Sequence, residues 1–329
     1  MIKNPIYRPK GAALEYAELA LNIYDSCGNG CTYCYARDLA KRFGKPWGNA
    51  VSPRPGIVEA VRKQLAASDW RGRQIMLCFT CDPYPIGCDT TATREIIQAI
   101  KESRNHVRIL TKGDATAQRD FDLLDSNDWF GVTLTGFNCK EFEPGAAKNP
   151  DRYCNLHAAA SQGIPTWVSC EPVLDPEYAL LAIQALNQVD HWAIGKLNHR
   201  PSDIDWADFG RRAEELCQIM GRSYTIKNDL RKEMVPVSFT DQKRRVATEE
   251  DCHLVWNMGE KGAGFRCGLC GRMFQPGDGW RWVYMGAVNS LNILVCDSCD
   301  GDDVQERWAE RTREFFSDKF WQLRRAYCE

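Results

Sequence analysis

Residues 26–37 read Ser-Cys-Gly-Asn-Gly-Cys-Thr-Tyr-Cys-Tyr-Ala-Arg, which sets Cys27, Cys31 and Cys34 at C-x3-C-x2-C spacing directly after a short apolar run. Three thiolates in one tight loop can hold three irons of a cubane cluster and leave the fourth iron open. Gly28 and Gly30 let the backbone bend sharply, and Asn29 tolerates the same left-handed geometry, so the three sulfurs can converge. The loop is expected to close a strand rather than open a helix. Three buried or disulfide-bonded cysteines in a turn are the plainer alternative.

On the C-terminal side of this loop, β-branched apolar runs alternate with amphipathic stretches. The expected strands are 19–24, 74–80, 106–110, 130–135, 166–170, 191–197 and 223–226. Between them, helical spacing of apolar positions predicts helices at 57–65, 93–100, 117–124, 152–160, 177–186 and 206–220. Repeated strand-helix units imply a parallel sheet rolled into a partial (β/α)6 TIM-like barrel, an α/β fold over residues 1–235. Chemistry then belongs at the C-terminal strand ends, where the three cysteines fall. Polar residues recur there: Thr80 and Asp82, Thr111 and Lys112, Thr133, Thr135 and Asn138, Glu171, Lys196 and Asn198, then Lys227 and Asn228. Any one of them is explained as a helix cap; the set favours a shared mouth.

Composition narrows the class. The 329 residues are 44% hydrophobic with a net charge of -2, which exerts no global pull on polyanions and leaves any nucleic-acid contact to local patches. Sixteen cysteines, no signal-like start and no apolar run of membrane length argue against secretion and against a bilayer span, so a reducing cytoplasm is the expected compartment. Clustered cysteines there mean metal more often than disulfide.

Past residue 235 the composition changes. A polar stretch over 236–260, with Lys243-Arg244-Arg245 and Glu249-Glu250-Asp251, reads as a linker or excursion, and a small module follows over 261–329. Cys267-x2-Cys270 and Cys296-x2-Cys299 form two knuckles of a tetrahedral four-thiolate site. Zinc is the expected metal, with a rubredoxin-like iron or an auxiliary cluster as the alternatives; Cys252 and His253 lie outside the spacing. Between the knuckles, Trp280-Arg281-Trp282 with Arg266 and Arg272 suits base stacking and also suits the core of a mini-domain, the reading favoured here. Val304, Trp308, Phe315, Phe316, Phe320 and Leu323 trace one face of a last amphipathic helix, expected to dock on the barrel.

The loop resembles the cluster motif C-x3-C-x-aromatic-C of the radical S-adenosylmethionine superfamily, with Tyr33 as the aromatic. The segments Thr80–Tyr84, Ile109–Gly113, Phe142–Ala146, Cys170–Leu174 and Tyr224–Leu230 further resemble the branch that contains spore photoproduct lyase, over about residues 15 to 235. The resemblance implies a [4Fe-4S] cluster on Cys27, Cys31 and Cys34 and S-adenosylmethionine on the open iron, cleaved to a 5'-deoxyadenosyl radical. It places Tyr33 beside the cluster, Lys112 on the cofactor carboxylate, and Thr80 and Asp82 at its amino group and ribose. Thr135 joins this set, and Glu143 and Glu171, each followed by proline, orient substrate or ribose or cap the next helix.

In that branch a cysteine near the second strand end returns a hydrogen atom to the product radical. Cys78 and Cys81 are the candidates here, or simple core thiols; Phe79 stands where direct alignment would put that cysteine. The implied function is lyase or isomerase chemistry on a modified or damaged pyrimidine in nucleic acid, DNA favoured, with a flavodoxin or ferredoxin as reductant. A free modified nucleoside is the second substrate reading, and a non-catalytic metal-binding or electron-transfer protein the third. A polymer would bind with marked salt dependence, a nucleoside with little.

Overall fold

The computed structural model describes residues 2–48, 51–234, 244–253, 265–284, 292–304, 306–308 and 310–311. The chain divides into two compact units, Met1–Met234 and Val235–Glu329.

In the first unit, β1 (Leu19–Leu21), β2 (Gln74–Leu77), β3 (His106–Thr111), β4 (Trp129–Thr133), β5 (Thr166–Cys170), β6 (His191–Ile194) and β7 (Tyr224–Ile226) pair in chain order. Every pairing is parallel, and β1 and β7 do not pair with each other, so the sheet is an open half-barrel of seven strands rather than six. Helices α1 (Tyr35–Arg42), α2 (Ile57–Ala67), α3 (Thr91–Glu102), α4 (Cys139–Phe142), α5 (Asn149–Ser161), α6 (Pro176–Ala185), α7 (Trp206–Ile219) and α8 (Asn228–Glu233) lie in the connections and after the last strand. Apolar residues three and four apart seal the outer layer: Ile57, Val61 and Leu65 on α2, and Ile96, Ile97 and Ile100 on α3, are all buried.

The concave interior is packed by Ala20, Met76, Trp167 and Ala193, with Tyr16 against them. Trp167 Nε1 donates to the Ile109 carbonyl at 2.9 Å, and the Arg108 guanidinium lies 4.1 Å from its ring. A Cβ on Gly131 would stand 2.3 Å from that indole nitrogen, so only glycine admits the ring. The barrel floor is therefore filled, and open chemistry is confined to the strand ends above it.

Three local expectations change. β2 stops at Leu77 because Cys78 adopts φ 67°, a left-handed turn that ends the strand before residue 80. The stretch expected as helix 117–124 is a 3-10 helix, Ala115–Leu123. The cysteine loop does open a helix, since the Cys34 sulfur accepts the Arg37 amide at 3.4 Å and caps α1.

In the second unit, β9 (Gly279–Tyr284) pairs antiparallel with β10 (Asn292–Cys296), and β8 (Arg245–Val246) pairs with β9. The stretch read as a linker or excursion carries strand β8 and the short helix α9 (Glu249–His253). Phe265, Phe274, Trp280 and Leu294 form a small core beside the cysteines. Trp280 is 6% exposed and Arg281 is paired with Asp300, which is a core and its clamp rather than a stacking platform. Val304 is buried against Val283, Ile293 and Val295; Phe315, Phe316, Phe320 and Leu323 lie outside the described residues. No described helix is long and apolar enough to cross a membrane.

Candidate active site and metal centre

The loop after β1 carries Cys27, Cys31 and Cys34, with Gly30 at φ 64° turning the chain between them. The segment 142–146 clamps it. The Thr32 amide donates to the Phe142 carbonyl at 2.8 Å and the Gly145 amide to the Asn29 carbonyl at 2.9 Å. A Cβ on Gly145 would sit 2.1 Å from the Gly28 carbonyl oxygen, so this contact also demands glycine. Burial pushes the Cys27 thiol up to about 12, with Asp82 adding to the effect, and burial likewise raises Cys31. A metal or cluster bound here would have to displace these protons. Cys34 Sγ accepts the Arg37 amide at the N-terminus of α1.

Beneath the loop, the Tyr33 hydroxyl donates to Glu143, which is salt-bridged to Arg152. Both members of the pair are wholly buried. Arg152 also donates to the Thr133 carbonyl at 2.7 Å and to the Ala147 carbonyl at 2.8 Å, so the buried charges are compensated and hydrogen-bonded. Thr135 Oγ1 donates to Glu143 at 3.3 Å, which commits its hydroxyl to this network. Arg152 was not foreseen as a site residue, and the helical pattern it belongs to offered no signal of its charge partner.

Asp82 joins the cluster loop to two strand ends. Oδ2 accepts from Asn29 Nδ2 and the Lys112 amide, each at 2.8 Å; Oδ1 accepts from the Tyr84 amide at 2.9 Å and from the Thr111 hydroxyl. Four donors fill both oxygens, so Asp82 is a tie rather than an open ligand or a helix cap. Thr80 is half-buried, and its amide, like that of Phe79, is held by Asn22 Oδ1 at 2.9 Å.

Two groups beside the tie remain unmatched. Asn29 Oδ1 is buried and has no donor. The Lys112 ammonium lies 5.8 Å from the Tyr33 ring centre with no acceptor among the described residues; burial opposes its charge, but Cys31 and Glu143 outweigh that and raise its pKa. An orphan acceptor and an orphan cation next to three thiols complement an α-amino acid group, so the residues fit the cluster and S-adenosylmethionine that the resemblance implies.

Farther along the strand ends, Glu171 accepts from Tyr16 at 2.5 Å, Lys227 at 3.2 Å and Asn198 at 3.4 Å. Lys227 is 2% exposed, donates to the Ala12 carbonyl and sits 3.7 Å from the Tyr16 ring. Tyr16 therefore belongs to the mouth, a residue that preceded every recognised strand and carried no sequence signal. Cys78 is buried and Cys81 half-buried beside it, and burial first, then Cys81, holds the Cys78 thiol protonated.

In the second unit the four cysteine sulfurs Cys267, Cys270, Cys296 and Cys299 lie within 4.8 Å of one another, a group that could hold a metal ion. Cys270 Sγ is 3.9 Å from Cys296 Sγ; a tetrahedron with zinc–sulfur bonds of about 2.3 Å has edges of about 3.8 Å. The knuckle turns are closed by the Cys267 amide on the Arg272 carbonyl and the Cys299 amide on the Cys296 carbonyl, each at 2.9 Å. Cys252 is not in the group.

Comparison with solved structures finds spore photoproduct lyase complexed with dinucleoside spore photoproduct at TM-score 0.46 and 14% identity, covering 94% of this chain and 77% of that one. Streptococcus suis SuiB bound to S-adenosylmethionine is similar at TM-score 0.45 and 15% identity, covering 64% and 48%. Among curated proteins, an uncharacterized protein of Methanocaldococcus jannaschii is 30% identical over 190 residues, spanning 54% of this chain and 69% of the relative. An uncharacterized protein of Mycobacterium tuberculosis is 29% identical over 121 residues, 35% of each chain. Residues 12–230 match the family model described as protein of unknown function DUF5131, and the chain belongs to that family.

Proposed function

We propose that the Met1–Met234 unit is a radical S-adenosylmethionine enzyme. The observation that carries this reading is the clamped three-cysteine loop at the end of β1, flanked by the unmatched Lys112 ammonium and Asn29 oxygen. Cys27, Cys31 and Cys34 would hold a [4Fe-4S] cluster, and Lys112 the carboxylate of the cofactor. Bound together, these groups supply a 5'-deoxyadenosyl radical that abstracts hydrogen from an unactivated carbon.

The protein's own residues then do three things. Asp82 and the 142–146 segment hold the loop in register against β2 and β3. Tyr33, anchored on Glu143, presents its ring under Lys112. Cys78, which burial keeps as a thiol, or Cys81 beyond it would return a hydrogen atom to a product radical.

For substrate we favour a modified or damaged pyrimidine in DNA, transformed by lyase or isomerase chemistry; its support is the set of segments shared with the spore photoproduct lyase branch, from Thr80–Tyr84 to Tyr224–Leu230. The four-cysteine module is read as a structural zinc site. The test is anaerobic reconstitution with iron and sulfide, reduction in the presence of S-adenosylmethionine and ultraviolet-irradiated DNA or a nucleoside mixture, and mass spectrometry for 5'-deoxyadenosine. Formation that rises with DNA is expected. A fully loaded, reducible cluster that yields none overturns the enzyme reading, and a rise with nucleosides alone overturns the polymer substrate.

A further inference from the structure

One carboxylate above the packed floor of the barrel is only half satisfied. Glu171 follows β5, and a Cβ on Gly195 would stand 2.9 Å from its Cδ and 3.0 Å from its Oε1, so only glycine at the end of β6 leaves room for this side chain. Its Oε2 is anchored by Tyr16 at 2.5 Å and Lys227 at 3.2 Å. The anchors are fixed in turn, Tyr16 by Ser169 Oγ and Lys227 by the Ala12 carbonyl, each at 2.9 Å. Oε1, by contrast, has a single donor among the described residues, Asn198 Nδ2 at 3.4 Å, which is long for a hydrogen bond. The side chain is 17% exposed, so a ligand can reach it. Phe79 shares the Tyr16 contact: its half-buried ring packs on the interior layer 6.1 Å from the Tyr16 ring. The Tyr35 hydroxyl, next in sequence to Cys34, donates to the Phe79 carbonyl at 2.8 Å. Contacts thus run from the cysteine loop through Tyr35, Phe79 and Tyr16 to Glu171.

We propose that Glu171, Asn198 and Phe79 form the subsite for the reacting heterocycle. Phe79 lies along the face of the ring, while Glu171 Oε1 and Asn198 Nδ2 pair with an N–H and the carbonyl beside it, as on the imide edge of thymine. The inference rests on the substrate reading above and narrows it. An ionised carboxylate only accepts and a carboxamide NH2 donates, so side by side they match an edge that carries one donor next to one acceptor. A half-buried ring supplies a stacking surface. The ribose of the cofactor is the rival occupant, but its paired hydroxyls call for neither an aromatic wall nor an amide donor. Lys112 and Asn29, which complement the amino-acid end of the cofactor, belong to the end of β3 and the loop after β1, whereas Glu171 and Asn198 follow β5 and β6. Anchoring of the carboxylate by Tyr16 and Lys227 sets Oε1 in place before the ligand arrives.

The experiment follows binding to the full chain, with and without cluster, by fluorescence anisotropy. Its probes are ultraviolet-irradiated, fluorescein-labelled octathymidylate and the same oligomer methylated at every thymine N3. Methylation removes the N–H and leaves the backbone charge as it was. Wild type should bind the methylated oligomer at least about tenfold more weakly, the discrimination expected of one bidentate edge contact. Glu171→Gln and Asn198→Ala should lower binding of the unmethylated oligomer and bring the two affinities within about twofold of each other. Phe79→Leu should weaken both oligomers alike, while Phe79→Tyr keeps wild-type binding. Asn198 and Phe79 are half-buried, so their variants carry the test if Glu171→Gln, which strands Lys227, fails to fold.

Equal affinity of wild type for the two oligomers, or binding of neither, overturns the proposal. So does a methylation penalty that survives in Asn198→Ala and Glu171→Gln, or a Phe79→Leu variant that binds like wild type. A Glu171→Gln variant that loses S-adenosylmethionine in equilibrium dialysis but keeps wild-type oligomer affinities also overturns it, and assigns the carboxylate to the cofactor. Absence of 5'-deoxyadenosine from the loaded, reduced wild type would instead sink the enzyme reading, while the methylation penalty still decides the subsite.

Discussion

The two cysteine sites are built in opposite ways. The three thiols of the first unit sit in a loop whose shape is imposed from outside, by Asp82 at the end of β2, by the 142–146 segment after β4, and by Glu143 and Arg152 beneath. The four thiols of the second unit sit on two knuckles within a small sheet whose core is a handful of side chains around them. A barrel with a full core can hold an incomplete coordination set open for a ligand. A mini-domain with little to bury draws its stability from closing the set. On the function proposed above, the same residue type would serve chemistry in one place and folding in the other.

Cys267→Ser puts this contrast under its hardest test. Binding of structural zinc is worth on the order of 10 kcal/mol in small domains, so the variant should lose the metal and unfold the second unit while the barrel melts as before. Retention of one bound zinc per chain would mean the four thiols are not its site. Next in size is Cys31→Ala, for which iron per chain and 5'-deoxyadenosine should fall to background with little change in the barrel's melting temperature. A barrel that unfolds on losing this thiol would erase the distinction between the two sites.

Arg152→Ala tests the outside support. Removing one partner of a buried pair costs about 3–5 kcal/mol because the remaining charge is stranded, so denaturant titration should show a loss of that order in the first unit alone. Arg152→Lys should recover only part of it, since one ammonium cannot reach Glu143 and both carbonyls. The mildest change in stability is expected of Gly145→Ala. Its methyl would meet the Gly28 carbonyl, so the cysteine loop must shift while the barrel core is untouched. Cluster incorporation should drop several-fold with near-normal circular dichroism, and normal incorporation would show that the clamp does not matter.

Much of the barrel was legible beforehand, because each strand and helix announces itself within its own residues. The apolar run before Cys27 and the spacing of Ile57, Val61 and Leu65 needed no distant partner to be read. Failures came where a local rule was silent. A cysteine capping α1 carries no cap signature of the Ser, Thr, Asp or Asn kind, and the left-handed turn at Cys78 is rare for a residue with a side chain. The resemblance assigns Asp82 and Thr135 to cofactor contacts. Their oxygens turn out to be engaged by groups that lie nearby only after folding.

Short spacing along the chain was enough to set out the candidate sites and the fold class: three thiols between Cys27 and Cys34, two C-x2-C knuckles, and the alternation that rolls a parallel sheet. How the sites are held was settled only by folding. Tyr33 meets Glu143 across 110 residues and Asn29 meets Asp82 across 53. Such pairings depend on where the barrel brings strand ends together, and no local periodicity records that. Cysteines within one short motif needed only a turn; their supports, and the meeting of the two knuckles, needed tertiary structure.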